Sequence, residues 1–123
     1  MLTRDYVSFD LAEDNGILTA KLRVEIDHHT ARILREEIDR ALLRETPRTL
    51  VLDFSRVDFM DSSGIGLVVG RLEAARSVGA TLTLRGLSQR LYRLLELSGV
   101  DRLSGIVISK SDTREDTSYE TQV

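Results

Sequence analysis

Between Ile17 and Ser109 the spacing of the apolar residues switches repeatedly between two periods, and that order leaves few folds open to the chain. Residues 17–26 alternate, with Leu18, Ala20, Leu22, Val24 and Ile26 on one side and Thr19, Lys21, Arg23 and Glu25 on the other, the pattern of a half-buried strand. At Asp27 the period changes. Ile33, Leu34, Ile38, Ala41 and Leu42 recur at helical spacing, and Pro47 closes the segment. "TLVLDF", 49–54, is short and almost wholly apolar, which suits a central strand covered on both faces. Helical spacing returns after residue 62 through Ile65, Val68, Leu72 and Ala75, with Gly79 as the stop. "ATLTL", 80–84, reads as a strand, and Ser88 is placed to cap a helix carrying Leu91, Leu94 and Leu95 that Gly99 ends. "GIVIS", 105–109, adds a last strand. Ahead of this series residues 6–11 alternate, with Val7, Phe9 and Leu11 on the inner face. Asn15-Gly16 then predicts a two-residue hairpin turn, because both residues tolerate positive φ.

A hairpin followed by strand–helix repeats predicts an α/β fold: one domain with a mixed sheet of four to five strands, an N-terminal β-hairpin, then parallel βαβ units with helices packed on the sheet. At 123 residues, 41% of them hydrophobic, the chain has the size and the apolar content for one core. The domain is expected over residues 1–109. The remainder, "KSDTREDTSYETQV" over 110–123, is polar enough to be a solvated tail.

Composition narrows the chemistry. A net charge of −3 offers no footprint for a phosphate backbone, so direct nucleic-acid binding is not expected. With no cysteine there is neither a disulfide framework nor a thiolate zinc site. No apolar run reaches the length of a membrane span, and the start, "MLTRDYVSFD", is not a signal peptide, so the expected location is the cytoplasm.

Parallel strands end on one edge of their sheet, and open α/β sheets bind partners there. The segments at Asp27–Thr30, Phe59–Gly64 and Gly86–Ser88 are therefore expected to gather on that edge. Two of them carry unusual residues, "DHHT" and "FMDSSG". Asp61, Ser62 and Ser63 are all good N-caps, but one helix needs one cap. Gly64, which weakens a first turn, would let another backbone approach closely. A catalytic alternative makes Ser62 a nucleophile with His28 or His29 as base and Asp27 as the orienting group. It lacks a G-x-S-x-G elbow. A metal site at Asp27, His28 and His29 lacks a third ligand, since adjacent histidines diverge. Capping of a helix by Asp27 is the bland alternative for that turn.

"DFMDSSGIGLVVGR", "EIDHHTA" and "RLLELSGVDRL" resemble the anti-sigma factor antagonists of the STAS superfamily, in the branch that controls a sporulation sigma factor; the similarity spans about residues 5 to 108. General-stress antagonists are similar too, but usually carry threonine where Ser63 stands and lack the paired histidines. The resemblance implies a non-enzymatic switch protein without cofactor, metal or small-molecule substrate. Its implied partners are an anti-sigma factor with serine-kinase activity, holding ADP or ATP, and a serine phosphatase. Ser62 matches the phosphorylated serine, with Ser63 the runner-up. Asp27 matches an aspartate implicated in the partner interaction. The expected contact surface is Asp27, His28, His29, Thr30, Met60, Asp61, Ser62, Ser63 and Gly64. The family commonly has glycine where Val24 stands, and its C-terminal amphipathic helix has no counterpart in the polar tail. Two other functions keep the same edge: a scaffold subunit of a stress-signalling assembly, and a protein that binds or hydrolyses nucleotide.

Overall fold

Asn15 and Gly16 reverse the chain with φ of 54° and 81°, the pair of positive values that a type I′ turn requires. They join β1 (Phe9–Asp14) to β2 (Ile17–Leu22), paired antiparallel from Asp14↔Ile17 to Phe9↔Leu22. The computed structural model describes residues 9–23 and 25–109; Val7, Val24 and the tail from Lys110 lie outside these. The first strand runs to Asp14, past the expected end at Leu11, because the tight turn lets pairing continue to its last residue.

Three strand–helix units follow: α1 (His28–Glu45), β3 (Thr49–Asp53), α2 (Ser62–Ser77), β4 (Thr81–Arg85), α3 (Gln89–Ser98), a single 3-10 turn at Val100–Arg102, and β5 (Ile106–Ser109). The five strands lie in sequence order, β1-β2-β3-β4-β5, and every pair after the hairpin is parallel. Right-handed crossovers that always step in one direction put every helix on the same side of the sheet. The core agrees with that geometry. Leu18, Ala20, Leu50, Leu52, Leu82 and Leu84 from the strands form one cluster with Leu34 and Ile38 of α1, Val68 and Leu72 of α2, and Leu91 and Leu95 of α3.

One expectation needs correction. β2 does not continue to Ile26 but ends at Leu22. Its ladder to β3 reaches Lys21↔Asp53, where β3 itself ends, so the alternating residues beyond have no strand to pair with. β3 is buried on both faces, as its apolar run implied, although the two faces are not covered alike. Its residues 50–53 are buried, but Val51 stands outside the helix-packed cluster. The face away from the leucines carries Thr19, Val51 and Thr83 in one row and Lys21, Asp53 and Arg85 in the next. Burial there pushes the Asp53 carboxyl up, but hydrogen bonds from Ser55 and Arg85 outweigh it and hold the group below its ordinary value.

α1 and α2 also meet through a charged pair. Arg71, with a side chain only 5% exposed, places Nε 2.8 Å from Oδ1 of the more accessible Asp39. The two atoms are not aligned as a hydrogen bond, and Arg71 Nη1 has no partner among the described residues.

Candidate functional site

The chain leaving β2 finds its next partner in the loop before α2. Ile26 N–H donates to Phe59 O at 2.9 Å, and Asp61 N–H donates to Ile26 O at 3.1 Å. Together these make a single parallel bridge between Ile26 and Met60. Both bridged side chains are buried, and each is followed by an aspartate that caps a helix. The neighbourhood expected of "DHHT" and "FMDSSG" is therefore realised by direct hydrogen bonds. The third segment starts directly after β4, whose last residue, Arg85, accepts at its carbonyl from Phe54 N–H at 2.8 Å. Ser88 there is buried and caps α3, accepting from Leu91 N–H at 3.2 Å.

Asp27 heads α1 with a reciprocal capping box. Its Oδ1 accepts from Thr30 N–H at 3.0 Å, while Thr30 Oγ1 accepts from Asp27 N–H at 3.0 Å. The hydroxyl of Thr30 also donates to Glu25 O at 2.9 Å. The Thr30 amide, above all, holds the Asp27 carboxyl below its ordinary 3.8, with burial opposing and His29 assisting. A depressed carboxyl contributes stability that is complete above the ordinary value and is lost as pH falls through the folded-state value. Asp27→Ala should therefore lower the melting temperature at pH 7, and its gap from wild type should narrow as pH drops below the ordinary carboxylate range. Thermal melts as a function of pH check this; a gap that widens in acid contradicts it.

Asp61 does the same work for α2, accepting from Ser63 N–H at 2.8 Å. Capping is thereby complete without either serine hydroxyl. Ser62, the first residue of α2, is exposed, Ser63 is half-buried, and His28 and His29 are both exposed. The catalytic arrangement does not form, because the Asp27 carboxylate is committed to backbone amides of its own helix. Among the described residues no group of three histidine, aspartate or glutamate side chains could hold a metal ion.

The contact surface expected from the sequence changes in three places. Met60 is only 5% exposed, so its side chain is a support and not a contact. Gly64 is buried, and what approaches it is not another backbone: a Cβ there would overlap Cγ and Sδ of Met60. Thr30 spends its hydroxyl within the cap. In exchange, Phe59, which the sequence placed in the loop without a role, is 48% exposed beside the bridge. An aromatic residue after a buried strand and before a buried methionine reads as core, and no local signal marks it otherwise.

Gly64→Ala weighs two opposed effects. Alanine gains about 1 kcal/mol in helix propensity, while displacing a packed methionine costs about 1–3 kcal/mol. Net destabilisation of about 1 kcal/mol is expected in urea unfolding, and a stabilised variant would mean that Met60 yields freely.

With this geometry in place, comparison with known proteins gives a consistent result. The profile of the STAS domain matches residues 8–115. An anti-sigma F factor antagonist of Paenibacillus polymyxa is 30% identical over 100 residues, covering 81% of this chain and 86% of that protein. An anti-sigma-B factor antagonist of Bacillus subtilis is 31% identical over 94 residues, covering 76% and 84%. Among solved structures, the anti-sigma factor antagonist SpoIIAA in its unphosphorylated form superposes with a TM-score of 0.71 at 28% identity, covering 83% of this chain and 88% of that one. The phosphorylated form of the Bacillus protein SpoIIAA superposes with a TM-score of 0.65, at 28% identity and covering 83% and 91%. No helix among the described residues is long and apolar enough to cross a membrane.

Proposed function

Since the chain belongs to the STAS domain family, we propose that it is an anti-sigma factor antagonist whose partner binding is switched off by phosphorylation of Ser62. Unphosphorylated, it docks the edge formed by Asp27, His28, His29, Phe59, Asp61 and Ser62 on an anti-sigma factor that is also a serine kinase. The sigma factor is thereby released. With ATP bound, the kinase transfers the γ-phosphoryl group to Ser62 Oγ, the hydroxyl proton leaves, and ADP remains on the kinase. A serine phosphatase then restores the hydroxyl by hydrolysis. The work is cytoplasmic, and the nucleotide and its metal stay with the partner.

The observation that carries this reading is the division of labour at the start of α2. Asp61 makes the cap, so Ser62 stands exposed at the helix entrance with no structural duty. It stands two residues after Met60, which is bridged to Ile26, the residue before Asp27. A phosphoryl group adds about −1.5 to −2 charge with three strong acceptors, and a helix N-terminus accommodates it.

The decisive experiment is incubation with ATP and each anti-sigma factor kinase of the host genome, followed by mass spectrometry. One phosphate on Ser62 is expected, and none on Ser62→Ala, which should still bind. Incorporation that persists in Ser62→Ala would move the site to Ser63 or elsewhere. Asp27→Asn separates charge from capping, because asparagine is as good an N-cap as aspartate. It should melt with the wild type yet dock or accept phosphate poorly; unimpaired docking would remove Asp27 from the interface.

A further inference from the structure

Between the N-terminal halves of α1 and α2 runs an open groove of about 250 Å³. α1 lines it with His28, Arg32 and Arg35, and α2 with Ser63, Gly66 and Leu67. Those spacings, 28, 32 and 35 against 63, 66 and 67, are one face of each helix turned toward the other. In a chain of net charge −3 the charged residues lining this groove are all basic. The acid one turn further on, Asp39, sits against Arg71 and also attracts Arg35. Both helix N-termini open at the same end, and each is capped by an aspartate, Asp27 or Asp61, so the attraction for an acidic group lies with the two arginines deeper in the groove.

Gly66 is the second observation. Glycine weakens a helix relative to alanine, and at Gly66 nothing in this chain requires it: a Cβ built there meets no atom within 4 Å. The contrast with Gly64, whose missing side chain is filled by Met60, is direct. The fold leaves space over Gly66 and does not use it.

We propose that this groove receives an acidic segment of the anti-sigma partner, whose carboxylates pair with Arg32 and Arg35 while its backbone lies over Gly66. The proposal rests on the function proposed above and deepens it. Ser63 lies in the groove wall and Ser62 is the exposed residue before it, so a phosphate on Ser62 adds negative charge close to the incoming carboxylates. Like charge then meets like charge as the segment enters, which ties the switch to this surface.

The test is binding of the full chain to the host anti-sigma factor kinases with ADP, at low and at physiological ionic strength, for wild type, Gly66→Leu, Gly66→Ala and the double variant Arg32→Glu/Arg35→Glu. Gly66→Leu should melt at or above the wild-type temperature yet bind about tenfold or more weakly, because it fills the groove. Gly66→Ala, which adds only the Cβ, should be stabilised with a smaller loss. The charge reversal should bind about 100-fold more weakly, and the remaining affinity should no longer fall with added salt. If Gly66→Leu and the charge reversal bind like wild type while Ser62→Asp does not, the groove is empty in the complex; this inference falls and the proposed function stands. If wild type binds none of the kinases, both fall. Protection of the wild type against heat by inorganic phosphate or ATP alone, absent in the double variant, would make the groove a small-anion site and overturn the acidic segment. Loss of self-association on sizing, in Gly66→Leu alone, would assign it to a second copy.

Discussion

Ser62→Asp is expected to lose about 100-fold or more in affinity for the anti-sigma factor kinase while its melting temperature stays within about 2 °C of wild type. The two halves of that expectation have separate causes. Residue 62 is exposed at the first position of α2. A negative charge at a helix N-terminus is favourable by about 0.3–1 kcal/mol, and the aspartate introduced there displaces no cap, because Asp61 holds it. The folded state therefore has little to lose. A docked partner, by contrast, must desolvate the new carboxylate or meet it with like charge, at a cost of several kcal/mol, and each 1.4 kcal/mol is about tenfold in affinity. The interface term exceeds the helix term by a wide margin. Calorimetric titration beside thermal melts decides it: unaltered affinity would contradict the repulsion argument, and a collapsed melting temperature would show that residue 62 has a structural duty after all.

The second large effect is in stability, and it is asymmetric. Asp39→Ala should destabilise the protein by about 2–3 kcal/mol, because it strands the guanidinium of Arg71 between the helices. That corresponds to about 8–12 °C in melting temperature for a chain of this length. Arg71→Met should cost less, about 1 kcal/mol, although it removes the larger side chain. Arg71 is 5% exposed and Asp39 is 37% exposed, so only the aspartate can turn to water when its partner is gone. Arg35 also remains close enough to attract it. The double variant Asp39→Ala/Arg71→Met should recover most of the loss suffered by Asp39→Ala alone, since no charge is left unpaired. Urea unfolding of the three variants checks the order; equal costs, or a double variant worse than both singles, would mean that the pair is not governed by burial of the cation.

Much of this was legible in residue spacing. The hairpin follows from Asn15-Gly16, because a turn that needs two positive φ angles is chosen by the two residues that adopt them. The three helices follow from apolar periodicity and from caps that act within four residues of themselves: Asp27 on Thr30, Asp61 on Ser63, Ser88 on Leu91. The edge that gathers Asp27 and Ser62 follows from parallel topology. What spacing misjudged has a common cause. Ile26 continues the alternation of β2 and yet leaves that strand, because β3 stops at Asp53 and Ile26 pairs instead with Met60, thirty-four positions away in the chain. Met60 and Phe59 are neighbouring apolar residues, and nothing local says which of them is buried. The vacancy above Gly64 takes Met60 and leaves Phe59 in solvent.

The order of elements, the turn and the caps depend on contacts between residues close in sequence or on a repeating pattern, so the chain alone determines them. Which face of α1 looks at α2, that Arg71 is sealed beneath Asp39, that one glycine is filled and the next but one stands open, and that three basic residues line a single groove depend on where two helices come to rest on the sheet. That placement is decided by packing many leucines together at once, and no stretch of sequence carries it.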